Sequence, residues 1–199
     1  MGKGESSMEA NATKQRVVDA LNIVIEEIPP DKLSVGIVSY EAGVSRQTFY
    51  YHFRNIYDVL IWAIKSRMRY PDGLTSGTMA PSPFECVKDL CNALKLNREL
   101  VYAYLGPYRN RMRNDLRDYL FNVCRQSLIY ALGDLVEENY IDTLAYFHAD
   151  GYIGLVNHWL EGGMKGDMSK ELDGITGFCD ACLVPEIKER IAMNGFKPR

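Results

Sequence analysis

No apolar run approaches the roughly 18 residues that a membrane helix needs, and no secretory leader opens the 199-residue chain, so a soluble, cytoplasmic protein is expected. Cysteines number five, and an odd count argues against a disulfide framework and for a reducing compartment. Cys179 and Cys182 lie three apart on a predicted helix, but no second pair or nearby histidine completes a zinc set, so they read as small buried apolar residues. The three histidines, His52, His148 and His158, form no local metal cluster. Also missing are a phosphate loop, a dinucleotide fingerprint, a zinc-protease helix and a nucleophile elbow. No metal, no cofactor and no catalytic residue is therefore expected, and a helical enzyme, the reading from another class, lacks a recognisable constellation. Strand-type alternation, internal repeats and low-complexity tracts are absent as well. Residues 1–6, Met-Gly-Lys-Gly-Glu-Ser, fit a loose myristoylation pattern, but a polar tail explains them more simply.

What is present is ordinary globular material. With 47% apolar and 25% charged residues the chain can bury one or two modest cores. Its net charge of −3 is unevenly spread: over 13–70, eight basic residues stand against six acidic ones, a net of +2, so the acidic excess lies elsewhere. A mildly basic head on an acidic body suits phosphate contact by one end of the molecule.

After a flexible tail over 1–12, Val17, Leu21, Val24, Ile25 and Ile28 mark one helix face that Pro29-Pro30 stops. Residues 34–53 then carry the clearest local pattern. Ser34 can cap a short helix bearing Val35, Val38 and Ala42 at helical spacing, and Gly43 stands where a left-handed residue ends it. Ser45 can cap a second helix, with Phe49 and Phe53 on its apolar side. Ser39 and Ala42 are small enough for the close crossing that so tight a turn imposes. Arg46, Gln47, Thr48, Tyr50, Tyr51 and His52 are left exposed. Arg and Gln can pair with base edges, while hydroxyls and imidazole suit phosphate oxygens. The alternative is an ordinary helical hairpin with a polar, aromatic surface.

Residues 42–53, Ala-Gly-Val-Ser-Arg-Gln-Thr-Phe-Tyr-Tyr-His-Phe, closely resemble the signature of the tetracycline-repressor (TetR) family of bacterial transcription regulators, which decides between the two. The family pattern of small-Gly-Val-Ser, two variable residues, Thr-aromatic-Tyr, one variable residue and His-Phe is met at every fixed position. By that resemblance Arg46, Gln47, Tyr50 and Tyr51 face bases, and Ser34, Thr48 and His52 hold phosphates; Ser45 joins this DNA-binding set. Two departures remove possible DNA contacts. Arg54-Asn55-Ile56 stands where many members have Lys-Asn-Lys, and Gly36 stands where some carry a long polar residue early in the first hairpin helix. The run 55–62, Asn-Ile-Tyr-Asp-Val-Leu-Ile-Trp, loosely resembles regulators of dihydroxyacetone kinase genes.

The expected fold is all-α: a three-helix helix-turn-helix DNA-binding domain with its connecting helix over 13–70, and a helical effector-binding and dimerisation domain over 71–199. A helix over 55–69 ends in Lys65, Arg67 and Arg69, and Pro71-Asp72-Gly73 opens a linker. Later helices are predicted over 84–96, 98–105, 107–138 and 142–161, with a last one after Ser169. In the long one Met112, Leu116, Tyr119, Leu120 and Val123 form the apolar stripe, and Arg111, Arg113, Arg117 and Asp118 read as a solvated side. The helix over 142–161 reads as apolar nearly all round, with a narrow polar strip of Tyr146, Asp150, Asn157 and Glu161. It resembles the family's dimer helix through Phe147, Gly151, Gly154, Trp159 and the run Leu160-Glu161-Gly162-Gly163. A homodimer interface is expected from Phe147, Gly151, Gly154 and His158 together with Leu172, Ile175, Phe178, Cys179 and Cys182 of the last helix. Tyr102, Tyr104, Tyr119, Tyr130, His148 and His158 are candidates to line an effector cavity, and packing is the alternative role for each. The expected partners are a double-stranded operator, a second copy and a small-molecule effector. Repression released by that effector is the expected activity, and an activator or corepressor governed by a protein partner is the runner-up.

Overall fold

The computed structural model describes residues 2–68, 82–132 and 136–178, with 189, 192 and 193, and the side chains of 2–7, 30, 103–107 and 176–178 lie outside that description. Every regular element among the described residues is helical, and none of these helices is long and apolar enough to cross a membrane. The elements are α1 (Gly2–Glu27), α2 (Val35–Glu41), α3 (Arg46–His52), α4 (Ile56–Lys65), α5 (Pro83–Leu96), α6 (Arg98–Leu132), α7 (Glu138–Glu161) and α8 (Met168–Phe178).

Two compact units result. The first comprises Met1–Arg67 and Ala93–Met112, and the second Met68–Asn92 and Arg113–Arg199. In the first, α1 packs against α2, α3 and α4. Val17, Leu21 and Val24 of α1 are buried, as are Val38, Phe49, Phe53, Tyr57, Leu60 and Ile64. They are the inward positions that helical periodicity marks. α1 begins at Gly2, earlier than the sequence suggests, so residues assigned to a flexible tail are helical.

The long helix differs from its reading. α6 runs unbroken through Gly106-Pro107, where the sequence suggests two helices, and Val136 and Glu137, which the sequence places in the same helix, are not helical. Proline removes one donor and its fixed φ is itself helical, so it need not end a helix that packing holds on both sides of it. α7 begins a turn before Asp142, which the sequence offers as its start. That carboxylate is committed instead to Arg125 Nε at 2.6 Å. Asn97, almost fully buried between α5 and α6, bonds back to the Ala93 carbonyl at 2.8 Å and so closes α5.

Within the second unit, Cys86, Val87 and Leu90 of α5, Leu116, Leu120 and Val123 of α6, Ile153, Val156 and Trp159 of α7, and Leu172 of α8 are all buried. Ion pairs join the helices over this core. Arg117 grips Asp150 with both Nε and Nη2, Arg125 holds Asp142 and Glu138, and Lys88 reaches Asp173 at 2.6 Å. Arg117 is part-exposed, and its partner lies 33 residues away on another helix, which periodicity within one helix does not reveal. On the polar strip of α7, Tyr146, Asp150 and Glu161 are exposed and Asn157 is half-buried; Tyr146 also stacks on Phe121 at 4.2 Å and Asp150 meets Arg117. α7 is not covered all round: Ala145, Ala149, Tyr152, Ile153, Val156 and Trp159 face inward, while Phe147, Gly151, Gly154 and His158 are exposed.

Candidate nucleic-acid interface

Three side chains start three helices of the head, α2, α3 and α4. Ser34, in extended backbone geometry, accepts from the Ile37 amide at 3.3 Å and opens α2. Ser45 accepts from the Thr48 amide at 3.0 Å and opens α3, and Asn55 accepts from the Asp58 amide at 3.0 Å and opens α4. Each satisfies one of the amides that a helix start leaves unpaired. Between α2 and α3 the chain reverses at Gly43, whose φ of +62° is the left-handed geometry expected there. The Val44 amide then bonds back to the Ser39 carbonyl at 3.0 Å.

On α3 two aromatic rings fix the helix and the rest is offered outward. Phe49 and Phe53 are buried 5.8 Å apart, centre to centre. Arg46, Gln47, Tyr50 and Tyr51 are exposed, the last at 82%. Their numbers, two adjacent pairs four apart, put them on one side of the helix. Thr48 and His52 flank this side half-buried, and Ser34 and Ser45 stand exposed at the two helix starts. The Thr48 hydroxyl shares a 2.8 Å hydrogen bond with the Ser45 hydroxyl. His52 lies edge-on to Tyr51 at 4.9 Å. Burial first, and then the charge of Lys14, lowers its pKa below the ordinary 6.5. At neutral pH His52 is thus a neutral imidazole that can donate one hydrogen bond, a weaker phosphate group than a cation.

The sequence did not single out two further residues of the head. Tyr40, on α2, is 87% exposed, and its position off the Val35, Val38 and Ala42 stripe was the available signal. Lys14 of α1 lies 5.8 Å from the centre of the Trp62 ring, and no local pattern pairs it with α4. Arg111 is exposed, as the sequence suggests, and it also has partners that the sequence does not suggest. Its guanidinium sits 4.2 Å over the Tyr57 ring and 3.5 Å from the Asp58 carboxylate, which also accepts from the Arg54 amide. The first part of α6 is thereby tied to the start of α4.

The candidates for an effector cavity differ in burial. Tyr119 is buried, and His148 is half-buried beside Tyr152, with burial lowering its pKa. Tyr130 is 73% exposed and His158 is exposed, so neither lines an interior; both belong to helix faces turned to solvent. Tyr102 is half-buried beneath the Arg98 guanidinium at 5.5 Å, and the Tyr104 side chain falls outside the described residues. Among the described residues no group of three or more His, Cys, Asp or Glu side chains is placed to hold a metal ion. Of the interface candidates on α8, Leu172 is buried in the second unit and Ile175 is half-buried, while the Phe178 side chain, Cys179 and Cys182 lie outside the described residues.

An all-helical chain opening on a capped, glycine-turned hairpin has the architecture of a helix-turn-helix regulator. Residues 82–178 match a TetR family model described as "Transcriptional regulator C-terminal region". The chain belongs to the TetR family of transcription regulators. No curated protein sequence matches it. Among solved structures it is similar to the dihydroxyacetone kinase operon activator DhaS, with 14% identity over 85% of this chain and 94% of that one and a TM-score of 0.63, a likeness of fold. It also matches the TetR family repressor AlkX from Dietzia sp. strain DQ12-45-1b, at 15% identity over 88% of this chain and 95% of that one, with a TM-score of 0.46.

Proposed function

We propose that this regulator binds a near-palindromic operator as a homodimer, reads bases with Arg46, Gln47, Tyr50 and Tyr51, and holds the DNA backbone with Ser34, Ser45, Thr48 and His52. The observation that carries this reading is the α3 surface, where four exposed side chains stand on one side of a helix anchored by buried Phe49 and Phe53. A seven-residue helix makes too few contacts for tight binding alone, and a two-fold pair places two such helices about 34–36 Å apart along one face of DNA. Support for the pairing comes from α7, whose Phe147, Gly151, Gly154 and His158 form an exposed stripe at spacings of four, three and four. A Cβ at either glycine would meet nothing within 4 Å, so a partner helix could approach the backbone closely.

Repression released by a small-molecule effector is the outcome we assign, supported by its being usual in the family. A second reading is an activator or corepressor that answers to a protein partner. The exposure of Tyr130 and His158 favours it, because it removes two of the six groups assigned to an effector cavity.

A gel shift with the upstream region of the chain's own gene tests the operator reading. Binding that survives excess nonspecific DNA is expected, with affinity falling as salt rises. Equal affinity for unrelated duplexes would overturn it. Thermal-shift screening of metabolites, with and without operator, separates the two modes of control. An effector must stabilise the protein and antagonise operator binding reciprocally, and a screen that finds no such compound favours the protein partner.

A further inference from the structure

Gly36 is the second residue of α2, in the first turn of a short helix, and its φ lies outside the left-handed region. Nothing in the backbone requires glycine there, and glycine is among the poorest helix formers. Its role is spatial. A Cβ at Gly36 would stand 2.4 Å from Nη2 of Arg46, closer than such atoms can sit, and 3.1 Å from both Cζ and Nε, a tight contact. The guanidinium of the first residue of α3 is thus laid back against the bare Cα of α2. Among the described residues Arg46 has no carboxylate partner, so its hydrogen-bond donors are uncommitted. The long polar group that some relatives carry early in α2 is here supplied from α3.

We infer that Gly36 is a specificity-determining residue: it sets where the Arg46 guanidinium is presented, and so which base pair Arg46 reads. This rests on the reading of α3 as the operator-contacting helix. The partner edge is that of guanine, whose O6 and N7 accept two hydrogen bonds from one guanidinium. A methyl at position 36 would push Nη2 from 2.4 Å toward ordinary contact, a shift of about 1 Å if that contact is ~3.5 Å. Hydrogen bonds held within a few tenths of an ångström do not survive such a shift in place. The atoms displaced are the end of a flexible, exposed side chain, so the fold itself is not strained.

The test uses the full chain. Enrichment from a random double-stranded pool defines the wild-type site. Affinities of wild type, Gly36→Ala, Arg46→Ala and the double variant are then measured on that site and on each of its single base-pair changes, alongside thermal melting. Gly36→Ala should melt at or above the wild-type temperature and lose about tenfold of the preference for guanine at one base pair. Arg46→Ala should lose preference at the same base pair, and the double variant should bind no worse than Arg46→Ala alone. The inference is overturned if Gly36→Ala keeps that preference, weakens all sequences equally, lowers the melting temperature, or adds its loss to that of Arg46→Ala. A wild-type chain that enriches no sequence would overturn the operator reading itself, a failure distinct from the others.

Discussion

Truncating Phe147 to alanine tests the proposed dimerisation separately from folding, because 72% of the residue is exposed and its described ring contact is to the adjacent His148 at 5.6 Å. A phenylalanine side chain offers ~200 Å², so covering its exposed share in an interface removes about 140 Å² from water. At ~25 cal/mol per Å² that is about 3.5 kcal/mol, and a two-fold interface counts it twice, about 7 kcal/mol for the dimer. Area converts to affinity incompletely, and alanine keeps a methyl group, so about half that, roughly 3 kcal/mol, is the expected loss. The dimer dissociation constant should therefore rise about a hundredfold. Sedimentation across a concentration series measures it, with far-UV circular dichroism as the control for an intact fold. Operator affinity should fall in step at concentrations where the variant is monomeric. A dimer constant within threefold of wild type would place the interface elsewhere, and a wild-type monomer that binds one operator tightly at micromolar concentration would remove the dimer from the account.

Gln47→Ala should cost about 1–3 kcal/mol against one operator base pair, and a uniform loss across an operator panel would reassign it to the DNA backbone. Gly43→Ala forces a side chain into φ +62°, a strain of about 1–2 kcal/mol, so the melting temperature should drop by several degrees; an unchanged melt would contradict the turn geometry. Burial lowers the pKa of His148 in the folded protein below its ordinary 6.5, so the unfolded chain binds the proton more readily. The stability from keeping this ring neutral is full above pH 6.5 and declines as pH falls below it toward the folded value, and His148→Gln should flatten that part of a stability-versus-pH curve. Burial pushes Cys91 and Cys124 up to about 12; mapping of thiol labelling at pH 8 should find both unmodified in the native protein and modified in denaturant, and rapid native labelling would show the core to be open.

The hairpin was legible because what builds it is local. Ser34, Ser45 and Gly43 act within three or four residues of themselves, and the structure places each in its expected role. The body was legible as helical but not in its boundaries. Pro107 looks like a break and is passed through, and Asp142 looks like a helix start and is an ion-pair partner inside the helix. The partners of Arg111 and Arg117 lie 53 and 33 residues away. Periodicity describes which side of a helix is apolar, but it does not say what stands opposite. The relation of Gly36 to Arg46 was invisible for the same reason. In the sequence it reads as a lost contact, and the structure shows the space it leaves to be occupied.

On α3, the side chains that hold the helix and those that meet the solvent are different residues. Phe49, Phe53 and the Ser45 cap do the holding, while Arg46, Gln47, Tyr50 and Tyr51 contribute little to the packed interior. Surface changes away from such anchors usually alter stability by less than about 0.5 kcal/mol. Substitutions on this face are then close to neutral for survival of the fold and are sifted only by what the protein recognises. On the proposed reading of this face, a duplicated copy could drift toward a new target without first losing its shape, and an engineer could redirect this regulator by rewriting four positions on α3 together with Gly36 beside them.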